Sequence, residues 1–244
     1  MQNKYTLCSL LFETSSNYKE NLQTLLTLIK QTGENSFIVA PEVCLTGYDY
    51  DNIEKMLAFS KSAIKEIKKL SQDKIIILTM LERRASGVFN FAKIIHNGEV
   101  VYEQAKAKLF KFGDEHKYML AGQEEDINIV EIDGLKIGLL ICFELRFKSL
   151  WQRLEGADII AIPSWWGTQR SENFKTLTQA LGVMNQCYVV ASDSANLECT
   201  GMSGIITPFG ITQRNEDSPF LELPYDTKEI KKMRKYMAVG IQTN

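Results

Sequence analysis

One cysteine in the sequence stands where an apolar run meets charged residues. In the stretch GLLICFELRF, Cys142 follows the apolar residues, and Glu144 and Arg146 come directly after it. From these residues alone two interpretations stay open: Cys142 is a small core residue at a strand end, or it is a nucleophile displayed where the strand stops. At the start of a helix, free backbone N–H groups and the helix dipole would favour the reactive thiolate. The same N–H groups would hold the oxyanion formed when the thiolate attacks a carbonyl carbon.

A carboxylate and two lysines occupy comparable positions elsewhere. Glu42 follows the apolar run FIVAP, where partial desolvation would suit it to take and return protons. A loop carboxylate satisfied by backbone N–H groups is the simpler alternative. Lys106 and Lys108 share strand parity and are predicted to face one side, where a lysine beside a thiolate would supply positive charge to an oxyanion. The alternative is an exposed edge strand protected by lysines.

The composition argues against several classes of function. The 244 residues carry a net charge of −2, so we expect no nucleic-acid partner held by bulk charge. The sequence has no P-loop, no GxGxxG after the first strand and no GxSxG motif. Five scattered cysteines without a CxxC pair, and only two histidines, argue against a zinc site. We therefore expect no metal and no cofactor.

The apolar segments are those of a globular protein. No apolar run approaches the ~20 residues that a bilayer requires. The N-terminal stretch is typical of a first strand rather than of a signal peptide, which predicts a cytoplasmic protein without a membrane partner.

Predicted strands and helices alternate along the chain and are interrupted by β-hairpins. Runs such as Ile75–Leu78 and Ile159–Ile162 are apolar on both faces, which is typical of strands covered by layers on both sides. The dipeptides at 97–98 and 133–134, Asn-Gly and Asp-Gly, favour two-residue turns. Asp51 is predicted to cap a helix, and a helix of about ten residues is predicted after the cysteine of the first paragraph. One α/β domain over residues 1–244 is the simplest interpretation.

Taken together, these segments resemble the nitrilase superfamily, the carbon–nitrogen hydrolases. The resemblance rests on a strand ending in PE before TGY, on a Lys-x-x-Leu-Phe segment and on CFELRF. The segments GADIIAIPSWW, NQCYVVAS and GMSGIITPFG extend it over nearly the whole chain. It implies a four-layer αββα sandwich and a Glu-Lys-Cys triad. Carried over by position, Glu42 is the general base, Lys106 rather than Lys108 is the lysine, Cys142 is the nucleophile, and Glu115 is a second glutamate that positions the substrate.

The resemblance also implies a reaction. An amide would be hydrolysed to ammonia and a carboxylic acid through a thioester, with the backbone N–H of Phe143 helping to hold the oxyanion. The spacing in KAKLFKFGDEHKYMLAG is similar to the ω-amidase branch, which acts on 2-oxo dicarboxylic acid monoamides such as 2-oxoglutaramate. Arg146 would then fork onto a substrate carboxylate, with a structural salt bridge as its alternative. Tyr48, Trp165 and Trp166 are candidate pocket residues, and packing in a core or at a subunit contact is the alternative for the tryptophans.

Three other functions remain open. A Cys–His hydrolase would use His116 as the base. An N-carbamoyl amidohydrolase of the same superfamily would release carbon dioxide along with ammonia. A catalytically idle binding or scaffold protein would carry an unperturbed thiol. The expected partners are a small amide, water and, by analogy with the family, a second copy of the chain in a homodimer or larger homo-oligomer.

Overall fold

Two stacked sheets form the centre of the protein. The structure is a computed structural model that describes residues 4–215 and 218–241. The strands of this part of the chain are β1 (Thr6–Leu10), β2 (Ser36–Val39), β3 (Ile75–Arg84), β4 (Gly87–His96), β5 (Glu99–Ala105), β6 (Val130–Ile132), β7 (Leu135–Leu139), β8 (Ile159–Pro163), β9 (Tyr188–Ser192), β10 (Gly204–Ile206), β11 (Thr212–Arg214) and β12 (Phe220–Pro224). The first sheet has the order β12-β1-β2-β3-β4-β5 and the second β11-β10-β9-β8-β7-β6. Each sheet has a parallel centre, β1-β2-β3 or β7-β8-β9, with antiparallel strands outside it.

The longest helices cover the outer faces of the sheets, and the described part of the chain contains six α-helices. They are α1 (Tyr18–Gln31), α2 (Ile53–Lys68), α3 (Glu115–Tyr118), α4 (Lys148–Arg153), α5 (Ser171–Met184) and α6 (Thr227–Tyr236). In β3, Ile75 and Ile77 belong to the central core, whereas Ile76 belongs to a second core that includes Leu25 of α1 and Ile67 of α2. Because successive side chains of a strand point to opposite faces, the first residues of β3, at positions 75–78, must be apolar on both faces. The predicted four-layer αββα sandwich is confirmed.

Of the local predictions from the sequence, the two hairpin turns are found in the structure and the two predictions about helices are not. Asn97 and Asp133, like the glycines that follow them, have positive φ, as two-residue hairpin turns require. The cap predicted at Asp51 is wrong, because a 3₁₀ turn over Tyr50–Asn52 precedes α2. The helix of about ten residues predicted after Cys142 is also wrong. The chain instead makes a five-residue 3₁₀ turn and then the six-residue helix α4.

The strands that lead into the candidate site end at one edge of the sandwich. β2, β5, β7 and β8 all end there, because each runs in the direction of its sheet's parallel centre. The backbone N–H of Glu42, after β2, donates to the carbonyl of Ser164, after β8, at 3.1 Å. Segments distant in sequence therefore meet at this edge. Among the described residues, no helix is long and apolar enough to span a bilayer.

Candidate active site

A buried ion cluster lies at the edge where these strands end. Lys106 Nζ donates to Glu42 Oε1 at 2.8 Å and to Glu115 Oε1 at 2.6 Å. All three side chains are at most 5% exposed. Burial alone would lower the pKa of Lys106, but the two carboxylates raise it above its ordinary value. The lysine therefore stays a cation held between two carboxylates.

The two carboxylates differ in their second oxygen. Glu115 Oε2 accepts a hydrogen bond from the backbone N–H of Phe110 at 2.9 Å. Glu42 Oε1 accepts a second bond, from Asn90 Nδ2 at 2.9 Å, but Glu42 Oε2 is buried and has no hydrogen-bond partner in the described part of the chain. An unpaired buried oxygen is costly and calls for an explanation. It is the atom of the cluster that is free to accept a proton.

Cys142 sits on a strained turn next to this cluster. Its φ of +45° is left-handed, which costs about 1–3 kcal/mol for a residue other than glycine. Burial and the charge of Glu42 raise the pKa of its thiol well above the ordinary value, while Lys106 and the backbone N–H of Trp165 act in the opposite direction. The expectation that a helix terminus favours the thiolate is wrong, because Cys142 begins a five-residue 3₁₀ turn and not a helix. The direction of the pKa shift favours the protonated thiol, which would need a base.

A third buried carboxylate connects the cysteine turn to the lysine segment. Glu144 is fully buried, and its two oxygens accept from the backbone N–H groups of Ile141 and Ala107, each at 2.6 Å. Burial raises the pKa of Glu144 to about 7.

This raised pKa predicts a loss of stability with rising pH. Between its ordinary value of 4.5 and about 7, Glu144 keeps its proton in the folded state and loses it in the unfolded state. The folded state then binds more protons, so the free energy of unfolding falls as pH rises through this window. The Glu144→Gln variant has no titratable group at this position, so it lacks this pH dependence of the free energy of unfolding. We expect its stability relative to the native protein to improve by up to about 3 kcal/mol from pH 5 to pH 8. Urea denaturation at several pH values measures this, and parallel curves for the two proteins would contradict it.

The predicted pocket residues lie around one cavity. The cavity has a volume of about 460 Å³, and Cys142, Glu115, Tyr48 and Trp165 line it. Tyr48 donates its hydroxyl to Glu115 Oε1 at 3.2 Å. A narrow slot beside the cavity adds three further lining residues, Phe143, Arg146 and Trp166, and Arg170 lines both the cavity and the slot.

The side chain of Arg146 does not form the salt bridge named as its alternative. Its Nη2 donates to Asn173 Oδ1 at 2.8 Å, and its guanidinium lies 5.0 Å from the ring centroid of Trp166. No carboxylate of residues 4–215 or 218–241 pairs with Arg146 or with Arg170. Two guanidinium groups thus border the slot that Cys142 lines.

Two candidates lie away from this site. Lys108 pairs with Glu124 and stands 4.9 Å from the ring centroid of Phe147, so it does not share the surroundings of Lys106. The prediction from strand parity is wrong because β5 ends at Ala105. His116 is exposed on α3 and lines a depression that does not include the cysteine.

Sequence reasoning missed several residues that shape the site. Asn90 holds Glu42, as described above. Asp193 is buried and accepts from the backbone N–H groups of Trp166 and Thr200 at 2.7 and 3.0 Å, which fixes the pocket wall. Burial raises the pKa of Asp193 to about 6. Its position directly after the apolar strand CYVVAS is the signal that could have identified it, since Glu42 was found in the same way.

The fold is that of a known class of proteins. A solved structure, XC1258 from Xanthomonas campestris, described as a CN-hydrolase superfamily protein, has the same fold with a TM-score of 0.82. It is 20% identical, and the match covers 98% of this chain and 97% of that one. Residues 5–218 match the carbon–nitrogen hydrolase family model. The chain belongs to this family, within the nitrilase superfamily, and is a hydrolase of carbon–nitrogen bonds other than peptide bonds.

Two curated relatives indicate which branch of the family this chain resembles. The 2-oxoglutaramate amidase of Bacillus subtilis (strain 168) is 29% identical, with 97% of this chain and 96% of the relative covered. The deaminated glutathione amidase of Escherichia coli O157:H7 is 28% identical over 82% of each chain. The resemblance to the ω-amidase-like branch is confirmed by matches of this kind.

Proposed function

We propose that this protein hydrolyses the terminal amide of a small 2-oxo dicarboxylic acid monoamide, with Glu42, Lys106 and Cys142 as its catalytic residues and Glu115 positioning the lysine and the substrate. The observation that carries the proposal is the free oxygen of Glu42. It is the carboxylate oxygen of the cluster around Lys106 that is buried without a partner in the described residues, and Cys142 lies close enough for the charge of Glu42 to raise the pKa of its thiol.

The first half of the reaction forms a thioester. Glu42 Oε2 takes the proton of Cys142, and the sulfur attacks the amide carbon of the substrate. The oxyanion is held by the Lys106 ammonium and by the backbone N–H of Phe143. When the carbonyl forms again, the carbon–nitrogen bond breaks, and the proton on Glu42 passes to the nitrogen, which leaves as ammonia.

The second half releases the acid. A water molecule gives a proton to Glu42 and attacks the thioester carbon, with the oxyanion held by the same groups as before. Collapse of this intermediate breaks the carbon–sulfur bond, and the proton on Glu42 returns to the sulfur. The enzyme is then ready for another cycle, and one amide and one water have become ammonia and a carboxylic acid.

The proposed substrate class is supported by the positive charges that border the slot and by the name of a relative. Arg146 borders the slot beside Cys142 without a carboxylate partner in the described residues, so its guanidinium is available to an anionic group of the substrate. Arg170 borders the same slot. A relative named 2-oxoglutaramate amidase matches nearly the whole chain. A homodimer or larger homo-oligomer remains a prediction from the family.

Ammonia release across a panel of amides tests this function. We expect 2-oxoglutaramate to exceed butyramide in kcat/KM by about 10–100-fold, because a charge-assisted bond to its carboxylate stabilises the bound state by about 1.5–3 kcal/mol. Deaminated glutathione, glutamine and N-carbamoyl amino acids complete the panel, and the Cys142→Ala protein controls for contaminating amidases. Turnover of glutamine without turnover of 2-oxoglutaramate would exclude the proposed substrate. Release of carbon dioxide with ammonia would favour an N-carbamoyl amidohydrolase, and an inert panel with an ordinary thiol would favour an idle binding protein.

A further inference from the structure

Glu144 is a buried carboxylate that the reaction steps above leave without a task. It is fully buried and forms no salt bridge within the described residues. A carboxylate in such surroundings is costly unless hydrogen bonds satisfy it. Backbone N–H groups satisfy it here, and they come from two segments far apart in sequence: Ile141 donates to one oxygen and Ala107 to the other, each at 2.6 Å.

The two donors are the immediate neighbours of the two groups that the proposed reaction uses. Ile141 precedes Cys142, and Ala107 follows Lys106. Both donors lie beyond the ends of their strands, since β7 ends at Leu139 and β5 at Ala105. The last backbone bonds to the sheets are made one residue earlier, by Lys106 to Asn90 and by Leu140 to Ala161, at 2.8 and 3.1 Å. One carboxylate therefore links the two segments directly beyond those bonds.

The backbone of the cysteine turn requires such a link. A left-handed φ of +45° at Cys142 persists only where the surroundings over-determine it. Glu144 holds this turn from inside, because its own N–H donates to the Ile141 carbonyl at 3.0 Å while its side chain accepts from the Ile141 N–H. The other oxygen of the Glu144 side chain accepts from the Ala107 N–H, so the same side chain also anchors the lysine segment.

We propose that Glu144 is a positioning residue that sets the placement of the Cys142 thiol relative to the Lys106 ammonium. The inference rests on the proposed function, since it assigns catalysis to those two groups. Glu144 touches neither substrate nor reacting atoms in this proposal, and its effect is transmitted through the backbone.

The test compares Glu144→Gln with Gln104→Met. Glutamine at 144 keeps one acceptor oxygen but turns an amide N–H₂ towards the other backbone donor, so one of the two links is lost. Gln104 is the matched control, because it is buried and donates from Nε2 to the Leu139 carbonyl at 3.2 Å, joining β5 to β7 before either reaches the site. A general need for inter-sheet bonds would affect both variants alike.

The expected result is a separation of kcat from KM. At about pH 8, above the pKa of Glu144, we expect Glu144→Gln to lower kcat about 100-fold with KM within about threefold, because small misplacements of reacting groups have effects of this size. Gln104→Met is expected to keep kcat within about threefold. Alkylation of Cys142 by iodoacetamide, followed on the Cys142 peptide by mass spectrometry, is expected to slow at least about fivefold in Glu144→Gln alone, because the displaced thiol loses the favourable charge of Lys106.

A second variant and the alkylation rate keep the test decisive. Should Glu144→Gln fail to fold, Glu144→Asp takes its place, because its shorter carboxylate reaches one segment but not both, and the same loss of kcat is expected. A kcat within about threefold of the native value in a folded variant overturns the proposal, as does an equal loss in Gln104→Met. If the native protein hydrolyses no amide in the panel, the proposed function fails. The alkylation rates then decide on Glu144 alone, and equal rates in the native and variant proteins overturn its role.

Discussion

Replacing Cys142 with alanine is expected to lower ammonia release by at least about 10⁴-fold, because no thioester can form without the thiol. The variant is expected to fold, since the change removes one sulfur atom and leaves the hydrogen bonds of the turn intact. Initial rates of ammonia release measure the loss, and the melting temperature reports the fold. Acid-quenched intact mass spectrometry is expected to show an acyl adduct on the native protein during turnover and none on the variant.

A second thiol near the site provides the matched control. Cys199 is buried, and Glu42 is among the charges that raise the pKa of its thiol. Cys199→Ala is expected to keep the rate within about threefold of the native value, since this thiol has no part in the proposed reaction. Undiminished ammonia release by the Cys142→Ala protein, or an acyl adduct that maps to Cys199, would refute the choice of nucleophile.

The fold was accessible to sequence reasoning because its strongest signals are local. Apolar runs such as 75–78 and 159–162 predicted strands buried on both faces, and both lie in central strands of the two sheets. The hairpin turns at Asn97 and Asp133 need only two residues with positive φ, and the dipeptides that favour this are visible in the sequence.

The strained turns at the site could not be predicted in the same way. Val43 and Cys142 have φ of +43° and +45°, and a β-branched residue such as valine strongly disfavours this conformation. The N–H of Val43 is held by Thr79 Oγ1 at 2.7 Å, from a different strand. Hydrogen bonds between distant segments decide these turns, so local propensity predicted an ordinary helix after Cys142 instead.

The buried carboxylates show a similar limit. Glu42 was recognised by its place after an apolar strand, whereas Glu144 was treated as part of a charged stretch beside Arg146. The sequence shows a carboxylate but not the backbone N–H donors that permit its burial. For Glu144 one of these donors is Ala107, 37 residues away. The choice between Lys106 and Lys108 came from the family resemblance, and the two lysines occupy different surroundings.

Replacing Glu42 with glutamine is expected to lower kcat by about 10²–10⁴-fold, the range that a general base contributes. The amide still accepts the hydrogen bond of Asn90 at one atom, so the cluster around Lys106 keeps most of its geometry. The free oxygen is replaced by an N–H₂ group that cannot take a proton from Cys142. Initial rates of ammonia release, with the melting temperature as the check on folding, measure the effect.

His116→Ala is the control that separates this base from the Cys–His alternative. His116 is exposed and lines a depression that does not include Cys142, so its removal is expected to leave kcat within about threefold of the native value. A Cys–His hydrolase requires the opposite order of effects. Loss of activity in His116→Ala as large as in Glu42→Gln would show that the base has been assigned to the wrong residue.

Charge conservation supports Glu42 rather than His116 as the proposed base. The cluster holds the Lys106 cation between two carboxylates, so it already has an excess of one negative charge when both are ionised. A proton that moves from Cys142 to Glu42 shifts a negative charge from oxygen to sulfur and leaves this total unchanged. A proton that moved to His116 on the surface would add a second unbalanced negative charge to a buried site, where each such charge costs several kcal/mol. The raised pKa of the Cys142 thiol expresses this cost, and a base inside the cluster avoids it.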